Sequence, residues 1–208
     1  MEIELKYSIG SDEIADAIWN DDEIKAMEEN GSRSLEELNA VYYDTEDLDL
    51  LKHDIAYRIR EEGPRVVASL KWNGKTEGAL HTREELNVNL GEGKCTDPPD
   101  PNVFSQSEIG SELLDLIGQR PLHGFIQVHV SRRKLRVDTN DAIFEIALDS
   151  GTVVTENGTC PISEAEIELY SGKEEDLIAL GDHLAHRYGL APETRSKFAR
   201  GLALLNKI

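Results

Sequence analysis

At six places along this chain, charged or polar residues alternate with apolar ones at a period of two. Glu2, Glu4 and Lys6 alternate with Ile3, Leu5 and Tyr7; Arg58 and Arg60 with Tyr57 and Ile59; Ser69 and Lys71 with Ala68, Leu70 and Trp72. Arg83, Glu85, Asn87 and Asn89 oppose Leu86, Val88 and Leu90, and Glu164, Glu166 and Glu168 oppose Ala165, Ile167 and Leu169. The sixth stretch, 126–137, is apolar at 126, 128 and 130 and then at 135 and 137. That slip predicts a bulge or twist, and leaves open whether Arg133 or the Arg132–Lys134 pair turns with the other charges. Period two marks a strand, because successive side chains leave it on opposite faces. One such strand is ordinarily a wet outer face with cross-strand ion pairs. Six of them, with helices inserted between, suggest a sheet rolled into a closed or nearly closed barrel whose charged faces meet inside.

The net charge of −19, from 41 acidic and 22 basic residues, argues against nucleic-acid partners and anionic membranes. No apolar run approaches the roughly 18 residues that span a bilayer, and no secretory leader is visible. Cys95 and Cys160 form no disulfide framework or metal spacing, so a reducing cytoplasm is expected. Further strands are expected at 38–43 and 142–149, the sixth stretch belongs to a strand over 125–137, and a hairpin is expected at Asn73-Gly74 between 66–72 and 80–90. Residues 91–104 read as a proline-rich loop. Helices are expected from Ser11, at 112–117, at 173–188 with Gly189 as its stop, and at 196–206.

Five glutamates in two alternating rows repel one another unless a cation sits among them. Hard oxygen ligands suit Mg²⁺ or Mn²⁺, and clustered Arg and Lys suit a polyanion such as phosphate. Gly74-Lys75-Thr76 is not the end of a phosphate-binding P-loop, because the required earlier glycine is Ser69. His183 and His186 lack a third ligand nearby and read as surface residues.

EIELK, with Glu2, Glu4 and Lys6, resembles the N-terminal signature of the CYTH superfamily, the triphosphate tunnel metalloenzymes. The resemblance continues in order through YYDTEDLDLLKHDIAYRIREEG, VVASLKWNG, GALHTREELNV, FEIALDSG, ISEAEIELYSG and TRSKFARGL. It covers nearly the whole chain and is closest to the bacterial inorganic triphosphatases. It implies an α+β fold, an eight-stranded antiparallel tunnel with helices around it, as one domain over 1–208 without the helical CHAD domain some members carry. It also implies a triphosphate substrate, most simply inorganic tripolyphosphate, and dependence on Mg²⁺ or Mn²⁺.

On that pattern Glu2, Glu4, Asp149, Glu166 and Glu168 are the expected metal ligands. Lys6, Arg58, Arg60, Lys71, Arg83, Arg133 and Lys197 are the expected phosphate ligands, Arg133 standing for a segment that matches only loosely. Glu4, Lys6, Lys71 and Glu164 are the expected catalytic residues, Glu164 as a metal ligand or as the group that orients water. The expected partner is a small-molecule triphosphate, with no nucleic acid and no membrane; a homodimer is left open. Adenylate cyclase of class IV, thiamine triphosphatase and a non-catalytic polyphosphate- or nucleotide-binding module are the alternatives.

Overall fold

The computed structural model of the chain describes residues 1–93 and 99–207; part of the proline-rich loop, with Cys95, lies outside them. Eight antiparallel strands close on themselves. In chain order they are β1 (Glu2–Ser8), β2 (Ser34–Asp44), β3 (Ala56–Glu62), β4 (Arg65–Glu77), β5 (Leu80–Glu92), β6 (His123–Asp138), β7 (Ile143–Thr155) and β8 (Gly158–Ser171). Around the barrel the order is β5-β4-β3-β2-β6-β7-β8-β1, and β1 returns to pair with β5. The first strand therefore closes the barrel, with Glu2 opposite Arg83 on one side and Lys6 opposite Glu166 on the other. A two-residue strand, β9 (Ala191–Pro192), adds to the end of β1.

The apolar strand faces point outward and are covered. Helices α1 (Asp12–Trp19), α2 (Asp22–Met27) and α5 (Glu174–Tyr188) share a core with Leu5, Tyr7, Leu135, Val137, Ile146 and Ile167. Gly181 lets α5 approach β1: a Cβ there would stand 2.2 Å from Leu5 Cδ1. Helices α3 (Asp49–Lys52) and α4 (Glu108–Ile117) cover Tyr57, Ile59, Ala68 and Leu70. The last helix, α6 (Lys197–Leu204), is different. It packs on Leu38, Ala40, Tyr42, Val128 and Val130, which line the same cavity as the charges. It therefore closes one end of the barrel from within.

Three local expectations change. Asn73-Gly74 is not the hairpin turn; the chain turns at Gly78-Ala79, between β4 and β5, where Gly78 has φ +60°. Asn73, at φ +53°, instead makes a bulge where the β4–β5 register shifts between Trp72 and Lys75, so the left-handed backbone that Asn favours is used within the ladder rather than at its end. Strand β6 holds one unbroken register with β7 from Gln127 to Asp138, so the slip in its apolar pattern is not a bulge there. Its inner face is apolar over α6 at Val128 and Val130 and charged beyond it at Arg132, Lys134 and Arg136. Its outer face changes in the opposite sense, from exposed Gln127 and His129 to Leu135 and Val137 beneath α1 and α2. Helix α4 begins at Glu108 rather than 112, because the Ser107 hydroxyl accepts from the Gly110 N–H and caps it.

Candidate active site

The barrel encloses a charged cavity of about 360 Å³. Ten of the 22 Lys and Arg and nine of the 41 Asp and Glu line it. Glu2, Glu4, Lys6, Arg58, Arg60, Lys71, Arg83, Asp149, Glu166, Glu168 and Lys197 are all among them. Alternation alone brings nine of these together, from β1, β3, β4, β5 and β8. Asp149 comes from β7, on the same parity as Glu145, and Lys197 from the first turn of α6.

At the closed end, Lys6 lies between Glu4, at 2.9 Å, and Glu166. Lys197 Nζ reaches Asp149 at 2.7 Å, Glu166 at 2.9 Å, and Glu164. Arg132 forks onto Asp149, with its Nε donating to Oδ1 at 2.7 Å and Nη2 to Oδ2 at 2.6 Å. Burial acts against ionisation of Asp149 and Glu166, but Lys197 with Arg132, and Lys6 for Glu166, hold both carboxyls below the usual range. In mid-tunnel Arg83 bonds Glu2 and reaches Glu4 at 2.9 Å. Lys71 pairs with Glu2 at 3.2 Å and Glu85 at 2.8 Å. Burial, with Arg83 and Arg58 nearby, pushes Lys71 down to about 8. The Arg58 Nε is buried without a partner, an orphan donor on the wall of the cavity.

Glu168 is the exception to this pairing. Among the described residues no ion pair or hydrogen bond reaches it. Burial first, and then Glu2, Glu4, Glu145 and Glu166, push its carboxyl up to about 7. Asp149, Glu164 and Glu166 form an acidic group among the described residues, with ligand oxygens within 4.8 Å of one another, but Lys197 already sits among them. The charge that lacks a counter-ion is therefore on the Glu2–Glu4–Glu168 side of Glu166.

The tunnel does not contain Arg133. Its Nη1 meets Asp16 at 2.6 Å on the outside, above the Trp19 ring, because odd positions of β6 face outward. The even positions, Arg132, Lys134 and Arg136, take its place inside. Glu164 does not line the cavity: it is 1% exposed, held behind Lys197 by Arg200. Glu36, Glu62, Arg65, Glu145, Tyr170 and Arg200 were not singled out from the sequence. Glu145 was legible, since it alternates in step with Asp149; Arg200 stands three residues after Lys197 on α6, one turn along the same side.

A CYTH domain model matches residues 1–202. An inorganic triphosphatase of Haemophilus influenzae is 30% identical over 171 residues, covering 82% of this chain and 46% of that protein. The chain thus spans about half the length of that curated relative. Among solved structures, a candidate adenylyl cyclase from Hippeastrum, described as having a dominant triphosphatase activity, superimposes with a TM-score of 0.66 at 20% identity, over 100% of this chain and 97% of that one. The Mimivirus capping enzyme triphosphatase gives 0.53 at 10% identity, over 90% and 88%. At these identities the structural likeness is one of fold. The match along residues 1–202 is one of family, and this chain belongs to the CYTH family.

Proposed function

We propose that this chain is a metal-dependent triphosphatase that cleaves inorganic tripolyphosphate to pyrophosphate and orthophosphate. The observation that supports it most is Glu168, a half-buried carboxylate among four others with no cation beside it among the described residues, in a tunnel otherwise rich in bases. The donor set fits a hard divalent ion: Glu2, Glu4, Glu166 and Glu168, with Asp149, offer only carboxylate oxygens. Mg²⁺ or Mn²⁺ held there would offset their charge and polarise a phosphoryl oxygen.

The chain's own residues do the rest. Lys6, Arg58, Arg60, Lys71, Arg83, Arg132 and Lys197 bind phosphate oxygens and hold the terminal phosphoryl group in line for water. Catalysis by such a site is mainly positioning and preorganised charge. Lys71, at about 8, gives up a proton readily near neutral pH and can pass it to the departing bridging oxygen. Glu164, fixed by Arg200, orients Lys197 rather than touching substrate.

A panel of phosphate-release assays with tripolyphosphate, ATP, thiamine triphosphate and pyrophosphate, with and without Mg²⁺ or Mn²⁺, tests this. The expected result is highest kcat/KM on tripolyphosphate and no turnover in EDTA. A second reading has one observation in its favour. A pocket of about 130 Å³ beside Lys71 and Arg83 is walled by Tyr42, Ile55, Trp72 and Phe198, which suits the organic head of a triphosphate ester. A preference for ATP or thiamine triphosphate would select that reading, with cyclic AMP as product marking a cyclase. Binding without release in every arm would leave a non-catalytic module.

A further inference from the structure

At Lys6 the backbone of β1 is clamped from two sides. Its N–H donates to the Ala79 carbonyl, at the β4–β5 turn, at 2.9 Å, and its carbonyl accepts from the Glu193 N–H at 3.0 Å. Glu193 lies on the strap that joins α5 to α6. It follows β9, which pairs with Tyr7 and Ser8, and stands four positions before Lys197. His81, at the start of β5, ties the hairpin to the strap. Its Nε2 lies 2.9 Å from the Glu193 carbonyl and its Nδ1 3.2 Å from the Thr76 Oγ1. A carbonyl only accepts, so Nε2 carries the ring proton and Nδ1 accepts from the Thr76 hydroxyl. The bonds close a ring: from Lys6 to Ala79, along the chain to His81, across to Glu193 and back to Lys6.

His81 opposes Glu4 in the β1–β5 ladder and has the parity of Arg83 and Glu85. It is nevertheless 6% exposed and is not among the residues that line the cavity. With both nitrogens bonded, the buried ring carries no unmet polar group. What it fixes is the strap. From Glu193 onward the strap is tied locally: the Glu193 carboxylate accepts from the Arg195 N–H at 3.0 Å, and the Ser196 hydroxyl caps α6 by accepting from the Ala199 N–H at 3.0 Å. The height of Glu193 therefore sets where α6 begins, and with it Lys197, whose Nζ stands 2.7 Å from Asp149 and 2.9 Å from Glu166.

We propose that His81, from outside the cavity, is the positioning residue for Lys197: through the Glu193 carbonyl it places the first turn of α6 so that the Lys197 ammonium meets phosphate. This rests on the reading of the tunnel as a triphosphate site with Lys197 among its phosphate ligands.

The test is calorimetric titration of the whole protein with tripolyphosphate in EDTA, where turnover does not interfere. His81→Leu should bind about tenfold more weakly, as for one misplaced charge-assisted contact. His81→Gln should bind as the wild type does, because its amide nitrogen reaches as far as Nε2 and donates. His81→Asn, one methylene shorter, should bind as weakly as His81→Leu. In a Lys197→Gln background, His81→Leu should cost less than about twofold, because the group it positions is gone. A packing role alone would lower the melting temperature with affinity unchanged, or weaken binding equally in both backgrounds, and either result overturns the proposal. If His81→Leu melts early, the two amide variants carry the comparison, and equal affinity of the two overturns it as well. Absence of phosphate release by the wild type with Mg²⁺ would count against the proposed activity and leave this binding comparison to decide the role of His81.

Discussion

Replacing Glu4 by glutamine keeps its volume and removes its charge. Lys6 would retain Glu166 and Arg83 would retain Glu2, so folding should survive. The loss should resemble deletion of one preorganised electrostatic group, roughly 10²–10³ in kcat, read by steady-state kinetics beside a thermal melt; a folded variant with wild-type turnover would remove Glu4 from the machinery. Lys6→Ala is a different experiment. It leaves Glu4 and Glu166 facing each other in a buried site, so the metal-free protein should melt several degrees lower and recover part of the loss with Mg²⁺. Glu168 sets a pH dependence. Its carboxyl is pushed up to about 7 by burial and by Glu2, Glu4, Glu145 and Glu166, so the folded protein takes up a proton there that the unfolded chain does not hold. That stabilisation is complete below the ordinary carboxylate range and is lost as pH rises through about 7. Metal-free protein should therefore melt higher near pH 5.5 than near pH 8, and Glu168→Gln should flatten the difference. The carboxyls of Glu2, Glu166 and Asp149 are shifted downward; their contribution is lost only in stronger acid and does not mask this window.

Helix α6 is both wall and ligand carrier. Gly201 allows it to lie against β6, since a Cβ there would stand 2.6 Å from Ile126 Cγ2. Gly201→Val should push the helix out at a cost of about 1–3 kcal/mol, and should lower kcat as well, because Lys197 rides on the same helix. Melts and initial rates of this variant check both; full activity at a lowered melting temperature would separate the wall from the site. The elements show why some features were readable in advance and others were not. Period two is a local property, so the inner faces of β1, β3, β4, β5 and β8 could be read residue by residue. What covers a strand is not local. The switch on β6 depends on α6 inside and α1 and α2 outside, which no window of residues 126–137 contains, and so the sequence leaves open which bases of that strand turn inward. The Asn73-Gly74 pair announced left-handed backbone correctly, but the same backbone serves a bulge as well as a turn. Arg200 and Glu164 meet across 36 positions of sequence, a contact fixed only once the barrel has closed.

At the scale of the whole molecule, charge is sorted by place. The tunnel lining holds ten bases and nine acids, which leaves 12 bases and 32 acids for the rest of the chain. An approaching anion meets net repulsion from afar and attraction only near the mouth. The Debye length falls from about 30 Å at 0.01 M salt to about 10 Å at 0.1 M. Thus kcat/KM for tripolyphosphate should first rise with added NaCl, as the distant repulsion is screened, and then fall as the bases themselves are screened. A monotonic decline from the lowest salt would show that the mouth dominates at every range. The closure of the barrel bears on a further matter, the order in which a ribosome delivers the chain. Strand β1 emerges before the other seven, yet one of its partners is β8, and the counter-charges for Glu164, Lys197 and Arg200, arrive only with α6. A nascent chain halted before α6 would expose mutually repelling carboxylates in an unplugged sheet. Productive folding of the barrel is thus deferred until α6 has been made, and a translation product truncated before α6 should be a target for proteolysis rather than a partly working barrel.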